Sequence, residues 1–259
     1  MCHGCAAQID ASSERAKPRA RHSLGEGSVT LGAERERTLV LEGGNEWRPG
    51  CEVADRWWVA RQGGAEATIL TTAAQDGPER AVRWASSYFR GLGVAVRACP
   101  IQTVADASDP QLLRILAESG SVFICGGDPA AARDVLVGSP AGSMLLELYR
   151  RGVPLIGSSA GAMVLGARCL LPRLGFATLP GLGLLPNGVV VPHWNAAGAS
   201  WRENAMKLVA QLEVLAVDEG TAAAWDGRSW QTLGAGRALV LSSAGELAVQ
   251  GRLPSPPIE

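Results

Sequence analysis

Histidine is scarce in this chain: three occur among 259 residues, at positions 3, 22 and 193. Any chemistry that needs an imidazole therefore has few candidates. An excess of charge of either sign is also missing. Lys and Arg number 24 against 25 Asp and Glu, a formal net charge of −1. That leaves no electrostatic case for a nucleic acid or an anionic membrane surface as partner. No apolar run approaches the ~20 residues needed to span a bilayer. The stretch from Met1 to Asp10 lacks the apolar core of a signal peptide, so secretion is not expected. The six cysteines, at 2, 5, 51, 99, 125 and 169, form no recognisable disulfide framework, and a reducing cytoplasm is the expected compartment. Cys125 lies in an apolar run and reads as a buried free thiol. Cys2-His3-Gly4-Cys5 lacks a second ligand pair at zinc-finger spacing, so no metal is expected.

What the chain does contain is alternation. Residues 1–36 are polar and without hydrophobic period, and read as a disordered extension. Residues 37–250 read as a single α/β domain, and 251–259 as a frayed, Pro-rich tail. Within the domain, apolar strand-like runs at 38–41, 67–71, 93–97, 121–125 and 153–156 are separated by helical patterns. Helix starts are marked by Asp76 with Glu79 three residues on, by Asp109-Pro110, by Asp128 and by Ser139-Pro140. The stripe Trp84, Tyr88 and Phe89 reads as core packing. This alternation predicts a doubly wound, mostly parallel sheet with helices on both faces. Beyond residue 170 the pattern loosens. Strands are expected at 188–191 and 214–217, a helix opened by a Ser200-x-x-Glu203 capping box lies between them, and hairpins fill 222–249.

The stretch Gly157-Ser158-Ser159-Ala160-Gly161 follows an apolar strand and opens a helix. Strand, sharp Gly-flanked turn and helix are the setting of a nucleophile elbow. A serine nucleophile needs a base, and His193, just past a strand at Pro192-His193-Trp194, is the sole histidine outside the presumed extension. No Asp or Glu occurs between Ser159 and His193. The order Ser, acid, His of the α/β-hydrolases is therefore excluded. An acid at the next strand end, Asp218 or Glu219, is the arrangement that survives.

Four pieces together, Gly126-Gly127-Asp128, Gly157 to Met163, Pro192-His193-Trp194 and Asp218-Glu219-Gly220-Thr221, resemble the peptidase E and cyanophycinase family of serine peptidases. The resemblance runs over roughly residues 38–245. It implies a class I glutamine amidotransferase-like, flavodoxin-like three-layer sandwich. It further implies Ser159 as nucleophile, His193 as general base, Glu219 as orienting acid, and an oxyanion hole from the N–H groups of Gly127 and Ala160. No cofactor is required. The implied substrate is a small peptide or isopeptide, aspartyl-type or cyanophycin-like. Pro129 stands where cyanophycinases tend to carry glutamine, which argues against polymer recognition.

Asp128, Trp194 and Arg202 are the candidate substrate-binding residues, Arg202 as the reader of a carboxylate, with Arg168 and Arg173 as alternatives. Trp57 and Trp58 read as core, while Trp194 and Trp201 are expected near the site. The Trp-rich surfaces suit either a pocket or a homodimer contact. Two rivals share these residues: an esterase or amidase of the same fold, and a binding domain that has lost catalysis. A nucleotide loop at Glu42-Gly43-Gly44-Asn45 is disfavoured, because the spaced third glycine of the dinucleotide fingerprint is missing.

Overall fold

Strand runs that are apolar throughout, rather than alternating, belong in a sheet covered on both faces. The computed structural model, which describes residues 36–62, 66–249 and 257–258, bears this out. The expected N-terminal extension, nearly all of the C-terminal tail, and the Cys2-His3-Gly4-Cys5 stretch lie outside the described residues. Strands β1 (Leu39–Glu42), β2 (Glu66–Leu70), β3 (Ala95–Cys99), β4 (Val122–Ile124) and β5 (Leu155–Ser158) are parallel, in the order β1-β5-β4-β2-β3. Helices α1 (Glu52–Val59) and α2 (Pro78–Gly91) share a core with Val40, Ile69, Phe123 and Ile156. Helices α3 (Pro110–Ala117), α4 (Pro129–Leu136) and α5 (Pro140–Arg150) pack with the alternate strand residues Leu39, Leu41, Leu70, Val122, Ile124 and Leu155. Successive side chains of a strand point to opposite faces, so this partition gives the expected three layers.

Of the aromatic residues read as core, Trp58 and Phe89 are fully buried. Trp57 is only half-buried, with the Arg61 guanidinium carbon 3.5 Å from its ring centre. Trp84 is a correction: it is 53% exposed and faces a cavity described below.

The helix starts divide. Asp109, Asp128 and Ser139 each accept a backbone N–H of the helix they open. Asp76 does not: Gly77 occupies the cap position before Pro78, which leaves the acid one residue too early. The Ser200 capping box is not formed either. Helix α7 (Ala199–Leu208) is capped at Gly198, and Ser200 falls inside its first turn.

The second sheet departs from the sequence expectation. Helix α6 (Ala160–Leu165) is short, and the chain passes straight from it into β6 (Gly166–Leu171), then β7 (Ala177–Pro180), β8 (Leu185–Val191) and β9 (Glu213–Val217). Strands β6, β8 and β9 are parallel, with β7 antiparallel at one edge. The expected hairpins are present but serve different sheets. The pair β10 (Thr221–Trp225) and β11 (Trp230–Gly234) extends the first sheet beyond β1, and β12 (Ala238–Ser242) with β13 (Gly245–Ala248) extends the second beyond β9. All of this lies in one compact unit, Glu34–Glu259. Among the described residues no helix is long and apolar enough to cross a membrane.

The sheets meet at Gly43-Gly44, just past β1. Gly43 N–H continues the β1–β10 pairing onto Thr221 O, while its carbonyl oxygen accepts from His193 N–H beyond β8, and Gly44 O accepts from Gly220 N–H beyond β9. A Cβ on Gly43 would lie 2.1 Å from Asp218 O, so only glycine permits this approach. The segment weighed as a nucleotide loop is instead the junction between the two sheets.

Candidate active site

Parallel strands present their carboxyl ends at one edge, and ligands of open α/β sheets bind there. Here both sheets contribute. Ser159 follows β5, Gly126-Gly127 follows β4, His193 follows β8, and Glu219 follows β9. Ser159 adopts φ 51° and ψ −113°, the strained turn of an elbow. Each flanking glycine has a steric reason. A Cβ on Gly157 would sit 2.6 Å from the Gly161 carbonyl carbon, and one on Gly161 would sit 2.1 Å from Ile124 O.

The Ser159 Oγ lies 2.8 Å from His193 Nε2, and His193 Nδ1 lies 2.7 Å from Glu219 Oε1. A carboxylate facing Nδ1 holds the proton there, so Nε2 presents its lone pair to the serine hydroxyl. The second Glu219 oxygen accepts from Asn45 Nδ2 at 2.9 Å, and the Glu219 N–H donates to Asn195 Oδ1 at 2.9 Å. The acid is thus fixed at both ends. Its neighbour Asp218 is turned away and takes the Arg237 backbone N–H at 2.8 Å and its guanidinium at 3.3 Å. His193 itself is left-handed, at φ 55°, and Gly44 lies against its ring.

Gly127 has φ +142°, and a Cβ there would meet Ala73 O at 2.0 Å. Its N–H precedes the anchored Asp128 N–H, which donates to Ala73 O at 2.8 Å. The Ala160 N–H opens α6, where the first N–H groups have no helical acceptor.

Behind the elbow three acids are gathered. Glu42 and Asp55 are buried, and Glu46 is half-buried. Burial first, then the negative charges of Asp55 and Glu46, pushes the Glu42 carboxyl well above the usual carboxylate range. Burial also raises Asp55 to about 7, opposed by the hydroxyl hydrogen bond from Tyr88 at 2.7 Å. Cys125 is a free, buried thiol whose pKa burial drives up, in keeping with its apolar run.

A family model described as peptidase family S51 matches residues 60–233, two-thirds of the chain. The chain belongs to that family. It is accordingly a serine peptidase. The crystal structure of a peptidase from an acI-B1 Actinobacterium superposes with a TM-score of 0.74 at 23% identity, over 84% of this chain and 96% of that one. A protein of Listeria monocytogenes EGD-e, described as a candidate peptidase E, gives 0.60 at 16% identity, over 77% and 99%. Both likenesses speak to the fold. No curated protein matches.

Two cavities of this S51 chain flank Ser159 and His193, and both are also lined by Gly127, Asp128 and Arg173. One, of about 620 Å³, is charged, with Arg48, Arg80, Glu46, Asp76 and Trp84 in its wall. The other, of about 430 Å³, is apolar, walled by Pro129, Met163, Leu171, Leu174 and Trp201. Asp128 therefore sits between them, paired with Arg173 at 2.9 Å. Trp201 is near the site, as expected.

Trp194 and Arg202 are not. Trp194 is 2% exposed, and Arg202 stacks over its ring at 4.2 Å while donating to the backbone oxygens of Trp194 and Ala197. Neither lines either cavity. The left-handed turn at His193 directs the following residue back into the core, so proximity in sequence does not become proximity to Ser159. Arg168 likewise lines neither cavity; it donates to Thr178 O within its own sheet. Sequence reasoning missed Gly44, Asn45, Glu46, Arg48 and Arg80. The only signal for the first of these was the glycine pair after β1, which invited a different reading.

Proposed function

We propose that this S51 peptidase hydrolyses short peptides or isopeptides through an acyl-enzyme, with Ser159 as nucleophile, His193 as general base and Glu219 as orienting acid. The observation that carries this reading is the unbroken relay from Ser159 Oγ through both His193 nitrogens to Glu219, at 2.8 and 2.7 Å. As Oγ attacks the scissile carbonyl carbon, its proton passes to Nε2, and the carbonyl oxygen becomes an oxyanion held by the N–H groups of Gly127 and Ala160. Each such donor is worth about 2.7–4 kcal/mol to the transition state. Collapse breaks the C–N bond, and the imidazolium returns the proton to the leaving amine. Water, deprotonated by His193, then cleaves the acyl-serine. Glu219 holds the Nδ1 tautomer and stabilises the imidazolium.

The charged cavity favours a substrate carrying a carboxylate beside the scissile bond. Arg48 and Arg80 both reach its wall, their guanidinium carbons 5.8 and 5.6 Å from the centre of the Trp84 ring, and Arg173 lies between the cavities. An aspartyl-type peptide fits this set of donors, with Arg48, Arg80 and Arg173 in place of Arg202. The reducing cytoplasm is the compartment we favour, because Cys51, Cys99, Cys125 and Cys169 are all free thiols.

A serine-directed fluorophosphonate tests the chemistry. Wild type is expected to label, and Ser159→Ala is not; a variant that labels fully refutes the assignment. A dipeptide screen with acidic, basic and neutral first residues tests the substrate, and equal turnover of all three classes removes the carboxylate argument.

A further inference from the structure

Glu46 lies on the loop after β1, remote in sequence from both groups that its carboxylate binds. Its Oε1 accepts the Gly126 N–H at 2.9 Å, and its Oε2 accepts the Ser158 hydroxyl at 2.9 Å. Gly126 immediately precedes the candidate oxyanion donor, and Ser158 immediately precedes the candidate nucleophile. One carboxylate therefore spans the two loops that must be held in register. The fit is close: a Cβ on Gly126 would stand 2.7 Å from Glu46 Oε1 and 3.2 Å from Ser159 Cβ. Gly126 is in effect pressed between the carboxylate and the serine side chain.

The same clasp defines the Gly127 peptide from one side. On the other side the Asp128 N–H is tied to Ala73 O at 2.8 Å. Between two anchored N–H groups, the Gly127 N–H has little freedom to turn away from Ser159. Gly127 would otherwise be mobile, since a glycine at φ +142° has no side chain to restrain it. Hydrogen bonds to an ionised acceptor are roughly twice as strong as neutral ones, so a carboxylate suits this position better than an amide.

The geometry points to Glu46 as a positioning residue for acyl transfer: its carboxylate fixes the oxyanion strand Gly126-Gly127 against the nucleophile turn Ser158-Ser159. This inference rests on the reading of Ser159 as nucleophile and Gly127 as oxyanion donor. Glu46 also reaches the charged cavity, so contact with the substrate is the rival role. The two roles part kinetically. Loss of positioning lowers the rate of the chemical step, while loss of a substrate contact raises the concentration needed for saturation.

The test is the saturation kinetics of fluorophosphonate labelling on full-length wild type, Glu46→Gln, Glu46→Asp, Ser158→Ala and the double variant Glu46→Gln/Ser158→Ala. The amide introduced by Glu46→Gln accepts only one of the two donors, and the charge is lost from both contacts. Its NH₂ meets either the Gly126 N–H, which it cannot bond, or a Ser158 hydroxyl that must rotate to accept it. The limiting labelling rate of this variant is expected to fall about tenfold to a hundredfold, the cost of a misplacement of around 1 Å, with half-saturation within about twofold and an unchanged melting temperature. Glu46→Asp, which keeps the charge, should recover part of the rate. Ser158→Ala should fall less than Glu46→Gln, and the double variant no further than Glu46→Gln alone, because both act through one clasp.

A limiting rate equal to wild type in Glu46→Gln overturns the proposal, as does a shift confined to half-saturation. If Glu46→Gln does not fold, Ser158→Ala decides: a lowered limiting rate supports the clasp and a wild-type rate overturns it. Labelling that persists in Ser159→Ala would instead defeat the underlying assignment, whatever Glu46 does.

Discussion

Gly44 offers the sharpest test of the relay, because it can be broken without touching any of its members. In Gly44→Ala the new Cβ would lie 2.2 Å from His193 Cε1, 2.7 Å from Nε2 and 2.9 Å from Nδ1. An ordinary contact begins at 3.4 Å, so the ring must retreat by about 1.2 Å. It cannot do so while keeping the 2.8 Å contact to Ser159 Oγ and the 2.7 Å contact to Glu219. Misplacement of this size costs on the order of a hundredfold in rate. A second penalty is separate. Gly44 sits at φ +104°, and an L-residue there costs on the order of 1–3 kcal/mol of stability. Gly50→Ala separates the two effects. Gly50 has φ +109°, but its nearest neighbour would be Gly220 Cα at 3.5 Å, an ordinary contact. Both variants should therefore lose similar stability in urea titrations, while Gly44→Ala alone should label with fluorophosphonate at least about a hundredfold more slowly. Equal labelling by the two refutes the reasoning that Gly44 seats the imidazole.

Two further outcomes follow from the acids. Glu219→Gln should lower kcat by up to about 10⁴ with little change in stability, whereas Asp218→Asn should spare kcat and lower the melting temperature by weakening the Arg237 contacts; the reverse pattern would make Asp218 the relay acid. Asp55, raised from an ordinary 3.8 to about 7 by burial, keeps its proton in the folded chain after the unfolded chain has lost it. The unfolded state then binds fewer protons, so stability is full below about pH 4 and falls as pH rises toward 7, by on the order of 4 kcal/mol. Unfolding of wild type and Asp55→Asn compared from about pH 4 to 8 should show that difference, and a constant gap between them refutes it.

Much of the first sheet is legible because its signals are local. Leu39 to Leu41, Val122 to Ile124 and Leu155-Ile156 are buried on both faces, and burial on both faces writes itself into the chain as an unbroken apolar run. The elbow is legible for a steric reason, since Gly157 and Gly161 both lie against backbone that admits no Cβ. His193 is found by scarcity. The choice between Asp218 and Glu219 is not decidable from spacing, because adjacent residues beyond a strand point to opposite sides; what separates them is Arg237, which engages Asp218 from the edge of another strand. Trp194 and Arg202 mislead for the converse reason. Their neighbourhood in the chain says nothing about the reversal at His193, and the planar stacking of one on the other satisfies both away from the cavities.

What stayed illegible has a common cause in the two-sheet construction. Ser159 and Gly127 belong to the first sheet, His193 and Glu219 to the second, and no periodicity in the sequence records how two sheets abut. The contact is made by backbone, through the hydrogen bonds that Gly43 O accepts from His193 N–H and Gly44 O accepts from Gly220 N–H. The loop that leaves this junction then supplies Asn45 to Glu219 and Glu46 to Ser158, beside Ser159. A stretch of four residues thus touches the relay from both ends, although none of its side chains reacts. Glycine and amide residues after a strand read as a phosphate-binding turn for the same physical reason that they serve here: both uses need close approach of bare backbone. The distinction lies in what approaches. In this chain it is the second sheet, and the spacing between Ser159 and His193 is set by that approach rather than by either residue's own loop.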